Sequence, residues 1–362
     1  MHAEHSLPAS IVGRPSSPDA PGAVRWPWSL LLRLRPHSYA AASVAFANTF
    51  YLGFFSLLLL VSLAFSGLVL LLPYDPRPEF AQLSVWQLAQ NPALAWVRDV
   101  HRLTADLLVT SCLLHLLRVV LSAAYKGPRR FTWVGGLGLF LVIIGLWGSG
   151  MVLPGGERSL AALSSLGGDI GFSAPSALGS FYLLHVAILP LVAATLVAIH
   201  HYRVHWVHGI SLPVCATARR SIEDRRPVPF WPTLARRELR LALYFVAAIL
   251  LAAIFVYDAP VETMSGGAAV TESSAAWFVL WLRGALALCP HPPSSIFFAA
   301  AIIVPLFSLP WIERRQRRPL GQRPGVLFGV GLVAALVLLL VLLGESSRDA
   351  EMVAGIVVSG PR

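Results

Sequence analysis

Polar residues in this chain fall mainly between long apolar runs. Seven runs are long enough to cross a bilayer as helices, at about 47–73, 97–123, 132–153, 176–206, 240–257, 294–311 and 326–344. Lipid offers no partner to unpaired backbone groups, so runs of this kind form helices. The pattern predicts an all-α fold, a polytopic transmembrane helical bundle of about seven spans.

Basic residues are distributed unequally over the connecting loops. Loops 124–131, 208–240 and 312–324 hold fifteen Lys and Arg residues, whereas loops 74–96, 154–175 and 258–293 hold three. By the positive-inside rule, the basic loops and the N-terminus lie in the cytoplasm of a bacterial-type inner membrane. The net charge of +10 is therefore mainly a topology signal, and nucleic acid is not an expected partner. Residues 1–24, rich in Pro, Ser, Ala and Gly, are predicted to form a disordered cytoplasmic tail.

Histidines inside two of the runs carry the first chemical signal. His101 and His115 are 14 residues apart, which on an ideal helix is a rise of about 21 Å and about 40° short of full turns. His185 and His200 are 15 apart, about 22 Å and 60° from alignment, whereas His201 is about 160° from His185. The second and fourth spans run in the same direction, so His101 faces His185 near the outer surface and His115 faces His200 near the cytoplasm.

Two stacked histidine pairs are typical of a bundle that holds two haems. Two neutral imidazoles fill both axial positions of a haem iron, which then carries electrons rather than binding oxygen. Zinc is less favoured, because each level lacks a nearby third ligand. The expected haem b and iron ligands are His101, His115, His185 and His200.

Glycines recur in the first and third spans with the interval that separates His101 from His115. Gly53 and Gly67 have this spacing, and so do Gly136 and Gly150. A glycine lets a bulky ring approach the helix backbone, so each of these helices offers room at both levels.

With these features the chain resembles the cytochrome b family of quinol:cytochrome c oxidoreductases, over about residues 25 to 345. The histidine spacings, "HVAILP" (185–190) and "HGISLP" (208–213) are similar to the chloroplast-type subunit. The resemblance implies a four-helix di-haem domain at 25–215, a three-helix domain at 216–345 similar to that subunit's usual partner, and an extracytoplasmic tail at 346–362.

Further site residues follow from the resemblance. Arg98 and Arg118 match arginines that neutralise haem propionates, and "GMVLPGG" (150–156) resembles part of the outer quinol site. On the cytoplasmic side, His205, Arg237 and Glu238 match residues that bind quinone and supply protons. A histidine and a carboxylate near the aqueous edge can relay the two protons that quinone reduction takes up.

Several positions depart from the family pattern. Where the family has Pro-Glu-Trp-Tyr, with a glutamate that takes a proton from quinol, this chain has Ala275-Ala276-Trp277-Phe278. Glu157 and Glu272 are the alternative bases for the outer site. Tyr51 replaces the cysteine that anchors an extra haem in chloroplast-type complexes, so a covalent third haem is not expected there.

Three functions are compatible with these residues. The first is the cytochrome b subunit of a quinol:cytochrome c oxidoreductase-type complex of the respiratory chain, with two non-covalent haems b, quinone, a Rieske iron-sulfur protein or cytochrome c-type partner, and a homodimer in membrane lipid. The second is a non-bifurcating electron conduit between an extracytoplasmic redox partner and one quinone site. The third is a transporter or scaffold without cofactors.

Overall fold

A computed structural model describes residues 38–156, 174–206, 210–211, 226–261, 281, 288, 292–313 and 319–358. The predicted tail at 1–24, Glu157, Glu272 and the Ala275-Ala276-Trp277-Phe278 stretch lie outside the described residues. All features below belong to the part of the chain from His37 onward.

Ten α-helices account for most of the described chain. In order they are α1 Phe46–Thr49, α2 Leu52–Leu71, α3 Pro78–Gln90, α4 Pro92–Leu121, α5 Arg130–Val152, α6 Ala174–Leu183, α7 Leu189–Trp206, α8 Ala235–Phe255, α9 Pro292–Ile312 and α10 Pro324–Val358. A π turn at Leu184–Ile188 joins α6 to α7, and a second at Phe230–Leu234 precedes α8. Short 3₁₀ turns precede α5 and α10.

The prediction of a transmembrane helical bundle is confirmed. Six helical stretches are long and apolar enough to span a membrane: Leu52–Leu71, Pro92–Leu121, Gly127–Val152, Ala177–His205, Phe230–Phe255 and Pro324–Gly344. The other predicted span, 294–311, falls on α9, of which the described residues Ala300–Ile312 form a shorter apolar helix. Helix α10 continues to Val358, past the boundary predicted at residue 345.

The bundle core joins both predicted domains. Helix α2 packs along α4, and α5 packs along α7, so two antiparallel helix pairs lie side by side. Buried Leu59, Leu108 and Ile143 from this bundle contact Ile249 and Ala253 of α8. Helix α8 is therefore part of the same apolar core.

A short antiparallel strand pair, which the all-α prediction did not include, connects distant segments. Strand β1 (Ser38–Ala40) pairs with β2 (Pro227–Pro229), with Tyr39 opposite Val228. Buried Tyr39, Val44 and Leu234 form a small apolar cluster beneath this pair. The strand pair holds the start of α8 beside the segment that leads into α2.

A charged cluster anchors the last two helices to the loop between α4 and α5. Glu313, after α9, accepts hydrogen bonds from Lys126 Nζ (2.6 Å), Arg323 Nε (2.8 Å) and Tyr125. Buried Arg323 also donates to the Val120 and Leu121 carbonyls at the end of α4. Burial alone would raise the pKa of Glu313, but these donors hold it at about 2.

Candidate haem-binding and quinone sites

The first histidine pair consists of His101 on α4 and His185 in the π turn; we call it the outer pair, following the predicted topology. The two ring centroids are 6.4 Å apart, with the ring planes inclined at 70°. Each ring lies against a glycine of the neighbouring helix: a Cβ on Gly67 would be 3.3 Å from His101 Cε1, and one on Gly150 would be 2.8 Å from His185 Cε1.

Nδ1 of each outer histidine is held by a serine. Ser66 Oγ lies 2.8 Å from His101 Nδ1, and Ser149 Oγ lies 3.0 Å from His185 Nδ1. The Leu146 carbonyl accepts from the same His185 nitrogen at 3.0 Å. With Nδ1 engaged, Nε2 is the nitrogen left for a metal, and the hydrogen bond fixes the tautomer and the ring orientation.

The inner pair, His115 on α4 and His200 on α7, repeats this arrangement. A Cβ on Gly53 would be 3.3 Å from His115 Cε1, and one on Gly136 would be 2.8 Å from His200 Cε1. The two rings are close enough for electrostatic interaction. Each of the four predicted glycines therefore lies against a different one of the four predicted histidines.

The two helix pairs are related by an internal repeat. Four residues of α2, and one residue just before it, recur in α5 at one constant offset. Thr49, Gly53, Leu63, Ser66 and Gly67 correspond to Thr132, Gly136, Leu146, Ser149 and Gly150. Nearly the same offset relates the histidines, His101 to His185 at the outer level and His115 to His200 at the inner level. The α2–α4 and α5–α7 pairs thus present equivalent halves of one site.

The repeat includes an arginine three residues after each inner histidine. Arg118 Nε donates to the Asn48 carbonyl at 2.7 Å. Arg203 Cζ lies 5.6 Å from the ring centroid of Phe131, which is the counterpart of Asn48 in the repeat. Arg118 is among the residues predicted from sequence, whereas Arg203 and the two serines are not; comparing the two halves of the chain would have found them.

The π turn explains why the second histidine spacing is one residue longer than the first. An i→i+5 turn accommodates one residue more than an α-helical turn, and His185 lies in it. The extra residue restores the phase of the shorter spacing, which is found in the regular helix α4. The angular offset of about 60° between His185 and His200, which assumed an ideal helix, is therefore wrong in magnitude, because the helix is not ideal at that point.

These residues fit a haem at each level. Each level supplies one imidazole from each of two helices and two glycines where a Cβ would contact those imidazoles, and serine hydroxyls orient the outer rings. Among the described residues, no group of three or more His, Cys, Asp or Glu could hold a metal ion. A two-histidine haem site therefore matches the donor set better than a zinc site does.

The two predicted propionate arginines bind the backbone in the structure. Arg98 donates to the Ala259 carbonyl at 2.9 and 3.0 Å and to the Pro260 carbonyl. Arg118 donates to the Asn48 carbonyl and to its side-chain oxygen at 3.1 Å. Both guanidinium groups therefore bind backbone carbonyl groups, and contact with propionates stays a prediction for both.

The predicted cytoplasmic quinone residues fall into two groups. His205 Nε2 lies 2.9 Å from His201 Nε2, so His201 turns toward His205 while His200 turns toward Gly136. Arg237 Cζ lies 5.1 Å from the centroid of the Tyr51 ring. Burial raises the pKa of Tyr51, Arg237 lowers it and Glu238 adds a further increase, so both charged side chains lie near this phenol.

Tyr51 is a further candidate at this end of the bundle. It is buried, and its hydroxyl donates to the Val44 carbonyl at 3.1 Å. From the sequence alone, Tyr51 indicates only that a covalent third haem is not expected at this position. Its contact with the start of α8 depends on the β1–β2 pairing, which no local pattern predicts.

A polar cluster formed by residues of α4, α5 and the segment after α8 lies near the outer pair. Trp147 Nε1 donates to Asp106 Oδ1 at 2.7 Å, and Arg102 Nε is 3.6 Å from Asp106 Oδ2. Arg102 also contacts Met151 Sδ and hydrogen-bonds Tyr257, just after α8. Burial raises the pKa of Tyr257, and negative Asp106 raises it further. Asp106 is absent from the residues predicted from sequence, although a carboxylate inside a span is a recognisable signal.

Comparison with known proteins identifies the family. The family model described as Cytochrome b(N-terminal)/b6/petB matches residues 106–177. Cytochrome b6 of Heliobacterium mobile is 33% identical over 187 residues, which cover 46% of this chain and 87% of that protein. The chain belongs to the cytochrome b/b6 family. Family membership makes it a haem protein of electron transport.

More distant relatives match longer segments. Cytochrome b of Rhodobacter capsulatus is 29% identical over 211 residues, and the match spans about half of that protein, 47% of its length. The solved structure titled "Hyperthermophilic respiratory Complex III" matches with a TM-score of 0.65 at 22% identity, covering 82% of this chain and 86% of that chain. This likeness confirms the cytochrome b fold beyond the four-helix part.

Proposed function

We propose that this chain is the di-haem cytochrome b subunit of a quinol:cytochrome c oxidoreductase-type complex. Electrons would cross the membrane from an outer quinol site, through the outer and inner histidine levels, to a quinone site on the cytoplasmic side. The observation that carries the proposal is the one-to-one contact of four histidines with four repeated glycines at two levels. Family membership supports it.

The residues of the chain have distinct roles in this proposal. His101 with His185, and His115 with His200, would each hold one haem b through Nε2. Bound haem would supply one-electron redox chemistry at each level. Ser66 and Ser149 orient the outer imidazoles and make them more basic by holding Nδ1.

Proton uptake at the cytoplasmic side would involve the residues around Tyr51. Quinone reduction consumes two protons. Side chains that relay protons from water to the quinone must therefore lie at the aqueous edge of the membrane. His205, on the last turn of α7, and Glu238, on the first turn of α8, occupy such positions. Arg237, whose guanidinium lies beside the Tyr51 ring, would orient the quinone.

The sequence of the outer site departs from the family pattern. With Ala275-Ala276 in place of the family Pro-Glu, a second function has a specific observation in its favour: a non-bifurcating conduit that joins an extracytoplasmic redox partner to one quinone site. In the first function the complex includes a Rieske protein or cytochrome c-type partner and forms a homodimer in the inner membrane, with the N-terminus in the cytoplasm.

A spectrum tests the haem assignment, and oxidant-induced reduction separates the two functions. We expect a reduced-minus-oxidised spectrum with b-type bands at two haems per chain, falling to one in His101→Ala and in His200→Ala. In membranes with the native partners, adding an oxidant in the presence of quinol should reduce the b haems if the complex bifurcates. Absence of b-type bands would refute both functions; bands without oxidant-induced reduction would favour the conduit.

A further inference from the structure

A charged side chain lies inside the second membrane span, between the two haem levels. Asp106 is the only acidic residue between His101 and His115, and it lies about 7.5 Å further along α4 than His101. An ionisable group at such a depth is costly and is a functional candidate by default.

Two polar neighbours contact the Asp106 carboxylate, and part of the side chain remains exposed. The Trp147 indole donates to Oδ1 at 2.7 Å, and Arg102 lies 3.6 Å from Oδ2. A carboxylate has about four lone-pair positions, so these two contacts do not use all of them. The side chain of Asp106 remains 27% exposed, and that of Arg102 22%.

The cluster lies where three helices meet beside the outer pair. Arg102 follows His101 directly and contacts Met151, which follows Gly150, the residue against His185. Tyr257 lies just after the end of α8 and hydrogen-bonds Arg102. Helices α4, α5 and α8 therefore place this polar group against the "GMVLPGG" stretch that marks the outer site in the sequence.

Oxidation of a hydroquinone at an outer site requires a base. The glutamate that the resemblance provides at that site is alanine in this chain, Ala276. Asp106 is a carboxylate in the described part of the outer half that accepts a hydrogen bond from Trp147, lies beside Arg102 and is partly exposed.

We propose that Asp106 is the catalytic base of the outer site and accepts the first proton from a bound hydroquinone. The hydroquinone O–H bond breaks and an O–H bond forms on a carboxylate oxygen of Asp106. The products of this step are the hydroquinone monoanion and neutral Asp106, and no electron moves in it. This inference rests on the proposed function, because it requires hydroquinone oxidation at the outer level.

The charged and titratable groups that face Asp106 are few in the described structure. Arg102 on α4 and Tyr257 after α8 face it directly, whereas α5 contributes Trp147 and Met151. Arg98, one turn before Arg102, interacts with Arg102. Once Asp106 is protonated, its ion pair with Arg102 is lost, and the pair forms again only when the proton leaves.

The test uses the full chain in its native membranes, in a His200→Ala background that leaves only the outer haem. Reduction of that haem is followed by rapid mixing with decylubiquinol and, in parallel, with menadiol, from pH 5 to 9. We expect Asp106→Asn to slow the reduction by about 100-fold or more and to remove its rise with pH. Asp106→Glu should recover most of the rate, and Asp75→Asn, which changes an exposed carboxylate paired with Arg77, should have no effect.

Trp147→Phe provides a test that does not require removing the carboxylate. Loss of the indole donor destabilises the anion of Asp106, so the rise of the rate with pH should move to higher pH while the haem band stays intact. A merely structural Asp106 would show no such displacement.

Two results would overturn the inference. One is an Asp106→Asn chain with an intact haem band and the rate and pH profile of its parent. The other is loss of the pH dependence in Glu157→Gln or Glu272→Gln but not in Asp106→Asn. Failure of the proposed function is a different result: no b-type band, or a parent chain that neither hydroquinone reduces.

Discussion

Gly136 offers the sharpest test of the two-level site. A Cβ at this position would lie 2.8 Å from His200 Cε1 and 3.1 Å from His200 Nδ1. Carbon atoms in contact prefer about 3.5 to 4.0 Å, so in Gly136→Ala the imidazole or the helix must move by about 0.7 Å or more. Overpacking of this kind costs about 1–3 kcal/mol, and every 1.4 kcal/mol is about tenfold in an equilibrium constant.

We therefore expect Gly136→Ala to weaken binding of the inner haem by about 5- to 150-fold and to leave the outer haem in place. A redox titration of the b-type band in purified protein separates the two haems and gives the haem content of each. Gly150→Ala, where the Cβ would also lie 2.8 Å from a histidine ring, should have the opposite selectivity.

Gly138→Ala is the matched control, because it lies on the same helix with nothing within 4 Å of its Cβ position. Gly53→Ala should have an intermediate effect, since its Cβ would be 3.3 Å from His115 Cε1. Equal inner-haem content in Gly136→Ala and Gly138→Ala, or loss of the outer haem in Gly136→Ala, would refute the assignment of levels.

Other predictions concern ligand identity, the serine contacts and the charged cluster. His200→Ala should lose the inner haem whereas His201→Ala keeps both, as counted from the reduced spectrum; equal losses would contradict the assignment. Ser66→Ala should raise the midpoint potential of the outer haem, because the lost hydrogen bond makes its ligand less basic; Ser62→Ala is the control in the same titration, because the Ser62 hydroxyl donates to the Leu58 carbonyl. Glu313 has a pKa of about 2 in the folded chain against 4.5 ordinarily, so it contributes stability above about pH 4.5 that is lost as the pH falls toward 2. The shift corresponds to about 3 kcal/mol at most, and partial exposure reduces that to about 1–2 kcal/mol. The melting temperature in detergent should therefore be lower for Glu313→Gln than for the parent at pH 7, and the two should converge on acidification; parallel curves would contradict this reasoning.

The spans and the pairing of histidines with glycines could be predicted from local pattern. The length of an apolar run identifies a membrane helix, because in lipid the backbone groups must form their hydrogen bonds within one segment. Regular helical geometry then places residues 14 apart on one face, so His101 and His115, with Gly53 and Gly67, could be assigned to two levels before any contact was known. The structure has the contacts that this geometry implies.

Other parts of the site depended on features with weak or nonlocal sequence signals. From the sequence, the spacing between His185 and His200 can be converted to an angle only by assuming an ideal helix. In the structure, a π turn absorbs the extra residue. Arg98 and Arg118 donate to the carbonyl groups of Ala259 and Asn48. Both acceptors are far from the arginines in the sequence, so no local pattern predicts these contacts. Glu157 and Glu272 lie outside the described residues, so their roles stay predictions.

By itself, the sequence determined the membrane-spanning helices, the two histidine levels and the glycines that give them room, because these follow from apolar length and helical period along single segments. Only the tertiary structure decided that Asp106 meets Trp147 and Arg102 beside the outer level, that Tyr51 meets the start of α8, and that Glu313 anchors the last helices to the α4–α5 loop. Those contacts join side chains from different helices, whose relative rotation and depth depend on packing of the whole bundle rather than on the period of any one helix.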